Sequence, residues 1–290
     1  NKTTSNEIVS IPGIIPDSKA TGGGSTHRSG SSSLRGEMEK GRSGYWEQIY
    51  RGNDREDLDH PSCVQSLRGH PLKTVSAGFN HSIAVTVLGE TLVWGDCSSG
   101  KLGIGETFWE KEGYTCYVPM PWLLPLPVRL RSVSAGFAHS AFIGMAGELY
   151  VCGCNDGGRL GLGPEHVGRT FVSPTLVESV RAHIIVKASC GASHTMLLTE
   201  SKTVMVGEGF KAEKKLVGGA VLQAGSAWAM SGLPIHTFEL VKGPLYMNPC
   251  CDISAGTAHS GAVTHDGELY TWGGNLNGGA GHPVSVVATK

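Results

Sequence analysis

Residues 75–95 read Val-Ser-Ala-Gly-Phe-Asn-His-Ser-Ile-Ala-Val-Thr-Val-Leu-Gly-Glu-Thr-Leu-Val-Trp-Gly. The same order of residue types returns at 133–153 and at 253–273. Each copy has Ala-Gly-x-x-His-Ser, an apolar run, Gly-Glu, a second apolar run, and Cys-Gly or Trp-Gly. A less regular copy surrounds Cys190-Gly191-Ala192-Ser193-His194-Thr195. The equivalent glycines Gly78, Gly136, Gly191 and Gly256 are spaced by 58, 55 and 65 residues. Such intervals are too long for a helix pair or a leucine-rich turn. They fit one four-stranded propeller blade of roughly 40–50 residues plus a loop.

Within each copy the pattern is that of a hairpin. Ile83, Val85 and Val87 alternate with period two on one face, Leu88-Gly89-Glu90 supplies a turn, and Leu92 and Trp94 alternate again. Ala146-Gly147-Glu148 and Asp266-Gly267-Glu268 supply the equivalent turns. A second glycine-rich phrase follows each hairpin. It reads Gly100-Lys101-Leu102-Gly103-Ile104-Gly105, then Gly158-Arg159-Leu160-Gly161-Leu162-Gly163, and is shortened to Asn277-Gly278-Gly279-Ala280-Gly281. The phrase lacks a Walker sequence and recurs, so it predicts backbone turns with positive φ rather than a phosphate cradle. Pro119–Pro127 and Pro174 mark connectors between blades. Residues 203–246 fit least well. Lys202 stands where the third turn glycine should be, and Ala224-Gly225-Ser226-Ala227-Trp228 resembles an eroded start with Trp228 in the histidine place. The expectation is four repeats, with this stretch as a candidate fifth.

Three segments follow from composition. Residues 1–44 contain Gly22-Gly23-Gly24-Ser25 and Ser29-Gly30-Ser31-Ser32-Ser33 and lack the apolar content to offset the entropy of ordering. They read as a disordered-type tail or linker, expected to run over a neighbour in a larger assembly. Residues 45–72, with Tyr45, Trp46, Ile49 and Tyr50, form a lead-in docking on the first blade as a short helix or an edge strand. Residues 73–290 hold the repeats and stop where another should begin. Glycine, 42 of 290 residues, is about twice the usual ~7% and falls at fixed places in the repeats. Formal net charge is −1, so no global field draws in nucleic acid or an anionic membrane. No run of 18 apolar residues occurs, so no membrane-spanning helix is expected. The eight cysteines do not follow zinc spacing, and Cys152 occupies the place of Trp94 and Trp272. Free thiols, no metal, no cofactor and an intracellular location are expected.

His81, His139, His194 and His259 invite a catalytic or metal-binding reading. Their one-per-blade placement, each beside Ser or Thr, favours structural repeat positions shared with Gly78, Gly136, Gly191 and Gly256. In this reading the ring nitrogens hold backbone carbonyls or the following turn. No nucleophile elbow, zincin helix or kinase set is present. One loop stands out for recognition: Phe108, Trp109, Tyr114, Tyr117 and Trp122 lie among Glu106, Glu110, Lys111 and Glu112. Aromatic residues on a rigid scaffold suit partner contact, and they equally suit capping of a blade edge.

The combined phrase Val-Ser-Ala-Gly-Phe-x-His-Ser…Gly-Glu-x-Leu-x-x-x-Gly…Gly-x-Leu-Gly-x-Gly resembles the repeat of the regulator of chromosome condensation (RCC1) family over residues 73–290. The resemblance implies an all-β propeller of about seven blades in the full-length protein, of which four to five repeats are visible here. It implies a non-enzymatic platform, a subunit or assembly factor of a macromolecular complex whose partners are other proteins. The alternative is guanine-nucleotide exchange on a Ran-like small GTPase, which the founding member performs with a protruding β-element. A second alternative is chromatin or nucleic-acid binding, within a ribonucleoprotein or chromatin setting.

Overall fold

A computed structural model describes residues 61, 63–105, 117–206, 212–217, 220–225, 235–241, 243–275 and 278–281. The tail at 1–44 and the aromatics Tyr45, Trp46, Ile49 and Tyr50 lie outside them. Each sequence unit becomes one antiparallel sheet, a blade. The first contains β1 (Leu72–Ala77), β2 (His81–Thr86), β3 (Thr91–Asp96) and β4 (Tyr117–Leu124), hydrogen-bonded in that order. The second contains β5 (Leu130–Ala135), β6 (His139–Gly144), β7 (Leu149–Cys154) and β8 (Thr170–Leu176), again in sequence order. The third begins with β9 (Ile185–Cys190) and β10 (His194–Thr199), followed by β11 (Ser201–Val206) and β12 (Ala212–Val217) as a separate two-stranded sheet. It is completed by β13 (Val221–Gly225) and β14 (Ile235–Leu240). The fourth contains β15 (Cys250–Ala255), β16 (His259–Thr264) and β17 (Leu269–Gly273). No helix among the described residues is long and apolar enough to cross a membrane.

The blades pack face to face, and the core lies in the seams between them. Ile83, Val85 and Val93 of the first blade meet Val133, Phe142 and Cys152 of the second. Ile143 and Val151 of the second meet Ile185, Leu197 and Phe238 of the third. Met196 and Leu198 of the third meet Ile253, Tyr270 and Trp272 of the fourth. Alternation along each strand therefore serves two neighbours, one per face. Val87 departs from the predicted apolar face: it lies beyond the end of β2 and is exposed. On the outer side of the first blade, Leu67 packs with Ala84, Leu92, Trp94 and Leu123.

The glycine-rich phrases reach across the seams. Gly105 N–H donates to Val172 O on β8, and Gly163 N–H donates to His236 O on β14. Leu102 and Leu160, fully buried, plug the first and second seams. The glycines of the first two phrases have φ between 67° and 108°, as the turn reading requires.

The third unit corrects the expectation of a candidate fifth repeat. Ala224-Gly225 ends β13, the third strand of the third blade. His194 pairs with Gly225 just as His81 pairs with Gly95, His139 with Gly153 and His259 with Gly273. Trp228 itself lies outside the described residues. The chain thus forms four blades among the described residues, and the third has been interrupted by an inserted hairpin. A methyl group added at Gly225 lies 2.7 Å from His194 Cα, at a φ of 98°. Gly225→Ala should therefore cost ~3 kcal/mol or more in urea unfolding, whereas Gly267→Ala, at a turn with open space, should cost ~1 kcal/mol.

Candidate functional site

Three of the four repeated histidines form a relay between blades. His81 Nε2 is 2.8 Å from Ser140 Oγ of the second blade, and Ser140 Oγ donates to Lys101 O at 2.6 Å. His139 Nε2 is 2.8 Å from Thr195 Oγ1 of the third blade, which donates to Arg159 O at 2.7 Å. His194 Nε2 is 2.9 Å from Ser260 Oγ of the fourth. Since the hydroxyls of Ser140 and Thr195 spend their only protons on carbonyls, the imidazoles of His81 and His139 must donate from Nε2. The ring nitrogens thus engage the next blade's hydroxyl rather than a backbone carbonyl or their own turn. Each ring also lies against its own glycine: a methyl at Gly136 would sit 2.8 Å from His139 Cε1 and 2.6 Å from Gly191 O. Close approach excludes any side chain at Gly78, Gly136, Gly191 and Gly256.

A Ser–His distance of 2.8 Å invites comparison with a nucleophile–base pair. The surroundings exclude that chemistry. Ser140 is fully buried and donates away from the ring, and the Nδ1 atoms of His81, His139 and His194 are buried without a partner, so no acid orients them. Burial, reinforced for His81 by the Lys101 ammonium, lowers His81 to about 4; burial, then the charge of His259, lowers His194 to about 4. Burial, then the Arg159 guanidinium, holds His139 well below the usual imidazole value. The rings are therefore neutral latches. A second set runs beside them: Ser76, Ser134 and Ser189 accept the N–H of Ala135, Cys190 and Ala255 on the following blades, at 2.8–3.0 Å.

The thiols and ions do not form a site. Cys152 and Cys190 are buried, which raises both thiols, Cys190 to about 12. Cys97 is disulfide-bonded, which corrects the expectation of free thiols throughout; Cys63, Cys152, Cys154, Cys190, Cys250 and Cys251 are free. Asp96 accepts Lys101 Nζ at 2.6 Å and the N–H and Oγ of Ser98 at 2.8 Å. Burial would raise this carboxylate, but those hydrogen bonds prevail and hold it below its ordinary value. No cluster of metal-ligating side chains occurs among the described residues. Phe108, Trp109 and Tyr114 lie outside the described residues, Tyr117 is half-buried opposite Asp96, and Trp122 packs against the first seam.

What remains is the inserted hairpin. In the first blade, Thr86 N–H donates to Glu90 O and Thr86 Oγ1 accepts Glu90 N–H at 3.2 Å, closing a turn of residues 87–89. In the third, Thr199 N–H donates to Ala220 O and Thr199 Oγ1 accepts Ala220 N–H at 2.9 Å. The same clamp therefore holds residues 200–219 where the first blade has three residues. Ser201 pairs with Val217 and Val206 with Ala212, an unbroken six-pair ladder. Glu200 N–H donates to Ile184 O, which ties the insert to the incoming connector. In sequence this stretch looks like erosion; the legible signal of an insertion is the 65-residue interval together with Thr199, which matches Thr86 and Thr264.

The hairpin rises from the end of the blades that carries the β2–β3 type turns. That end also exposes Val87, Leu88, Met145, Ile184, Met247 and Leu269. The opposite end, with the glycine-rich phrases, exposes the tilted ring pair Phe79 and Phe137, with centroids 4.4 Å apart. A model of the regulator of chromosome condensation (RCC1) repeat matches residues 146–198. The chain is an RCC1-like β-propeller. The chain is 30% identical to human probable E3 ubiquitin-protein ligase HERC6 over 80% of its own length and 21% of that protein. It is 30% identical to Xenopus laevis regulator of chromosome condensation over 75% of its length and 45% of that protein. Among solved structures, Saccharomyces cerevisiae Prp20p, described by its binding to Gsp1p and histones, superposes with a TM-score of 0.58 at 17% identity. That match covers 79% of this chain and 51% of Prp20p. The chain spans less than half the length of the two relatives from human and Xenopus laevis, and the structural likeness establishes the RCC1-like propeller fold.

Neutral latches have two measurable consequences. His139→Ala should lower stability by ~2–4 kcal/mol in urea unfolding, since Thr195 loses its donor and a cavity opens in the seam. For His81 and His194 the unfolded chain takes up protons from about pH 6.5 and the folded chain only near pH 4. Stability should therefore fall as pH drops through that window, by roughly 3 kcal/mol per histidine, and His194→Gln should make the fall shallower.

Proposed function

We propose that this RCC1-type propeller is a non-enzymatic protein-docking platform, and that it binds through its turn-bearing end. The observation that carries this reading is the inserted hairpin standing among exposed apolar side chains on one end of a rigid scaffold. An isolated two-stranded ladder gains little from its own packing and exposes unpaired backbone along both edges. A partner strand or apolar surface satisfies both features. Partners are other proteins of a larger assembly, in an intracellular setting.

A second reading, guanine-nucleotide exchange on a Ran-like GTPase, draws on the same hairpin, because a protruding β-element is what the exchange mechanism of the founding family member requires. The description of Prp20p by its binding to Gsp1p supports keeping this reading beside the first. Nucleic-acid binding gains less support, because 24 basic and 25 acidic residues leave no net field.

The test replaces residues 200–219 by the tripeptide of the second-blade turn, leaving the Thr199–Ala220 clamp in place. This variant should keep its unfolding free energy within ~1 kcal/mol and lose partner capture in quantitative cross-linking from cell extract. Leu88→Glu and Met145→Glu should each weaken capture at least ~10-fold. Capture unchanged by all three variants would contradict the reading. Hairpin-dependent acceleration of GDP release from a Ran-like GTPase would move the second reading ahead of the first.

A further inference from the structure

The register of the inserted hairpin sorts its residues by face. Lys202 stands opposite Leu216, Val204 opposite Lys214 and Val206 opposite Ala212. Successive residues of a strand belong to opposite faces of its sheet. Lys202, Val204 and Val206 of β11 therefore share one face with Ala212, Lys214 and Leu216 of β12, and the other face takes Ser201, Thr203, Met205, Glu213, Lys215 and Val217. The two faces differ in chemistry. The first sets two lysines among apolar residues and holds no carboxylate; the second mixes hydroxyl, apolar, acidic and basic residues. Glu200 belongs to the bend before the ladder. β11 and β12 form a sheet of their own, with no further strand paired to them among the described residues.

The two lysines have a spacing that an extended partner segment reproduces. Lys214 lies two residues from Leu216, the partner of Lys202, so the lysines stand on a diagonal of roughly 7–8 Å. Same-face residues of an extended segment recur at about 6.5–6.8 Å. The base of the insert also joins the exposed end of the scaffold. Glu200 N–H donates to Ile184 O, Ile185 N–H to Gly147 O, and Met145 N–H to Arg129 O. Arg129, itself exposed, donates to Leu88 O. Ile184, Met145 and Leu88 are exposed, so an apolar strip carrying a further cation runs from the insert across the second blade to the first.

We propose, building on the docking role of the insert, that its Lys202–Lys214 face seats an extended acidic segment of a partner protein. The segment has two carboxylates two residues apart and apolar residues at the next positions on the same face. The carboxylates pair with the two ammonium groups, and the apolar positions exclude water from those pairs. A nucleic-acid backbone would use the lysines and leave the apolar positions unmatched. A lipid surface calls for a wider apolar face than one strand pair supplies, because interfacial binding scales with the apolar area buried.

Fluorescence anisotropy of the whole chain with a labelled peptide, Val-Thr-Glu-Thr-Glu-Thr-Val, tests this beside the same peptide with Lys in place of Glu. The Glu peptide should bind at least ~10-fold tighter than the Lys peptide, and less tightly as salt rises from about 50 to about 300 mM. Lys202→Glu combined with Lys214→Glu should weaken it at least ~10-fold, whereas Lys215→Glu, the same charge change on the other face, should weaken it less than ~3-fold. Lys202→Gln combined with Lys214→Gln, with the amide shifts of β11 and β12 unchanged, should also weaken it, which separates lost pairing from a lost hairpin. Equal binding of the two peptides, no binding up to ~1 mM, an equal loss in Lys215→Glu, or preference for phosphatidylserine vesicles or a DNA oligonucleotide would overturn the assignment. Such a failure, with partner capture still lost when residues 200–219 are replaced, leaves the docking role standing. Capture indifferent to that replacement overturns the docking role itself.

Discussion

The hydrogen bond from a histidine on one blade to a hydroxyl on the next governs the rest of the structure. A single four-stranded sheet with two apolar faces has no means of hiding both. Stacking hides them but fixes neither the height nor the rotation of one blade against its neighbour. The latch supplies that specification. His139 reaches Thr195, Thr195 reaches Arg159 O, and Arg159 Nη1 reaches Ala192 O, so one seam ties together three separate turns. The ring is neutral and donates from Nε2, and a second proton on its orphaned Nδ1 would find no acceptor. Stability and protonation are thereby coupled at every seam.

Once the seams are specified, the turns at the ends of the blades are released from structural duty. The Thr–backbone clamp closes a turn of any length, because it bonds only the residues at its base. The first blade closes three residues with it and the third closes twenty. This is how a repeat with little freedom in its interior acquires a specific surface. The second blade shows what the clamp contributes: Gly144 replaces the threonine, and Glu148 Oε2 is left buried without a partner.

The hairpin strands and their turns were legible because period-two alternation and glycine position are local signals. The role of His81 was half legible. Its repetition pointed to structure, but its partner Ser140 lies 59 residues away, and only packing brings the two together. The serine or threonine following each histidine was visible as part of the phrase, yet nothing in one copy says that it serves the previous blade. The hairpin resembles decay in sequence because an insertion and an eroded repeat both interrupt a period. Register separates them: Gly225 opposite His194 shows the third blade resuming after the insert.

Native-state hydrogen exchange measured amide by amide tests the latch mechanism most directly, because it asks whether blades joined by latches open together. The amides of β2, β6, β10 and β16 should share one opening free energy equal to that of global unfolding. Those of β11 and β12 should exchange through a separate, lower-energy opening. Blades that open one by one with distinct energies, or a hairpin protected as strongly as β10, would contradict it.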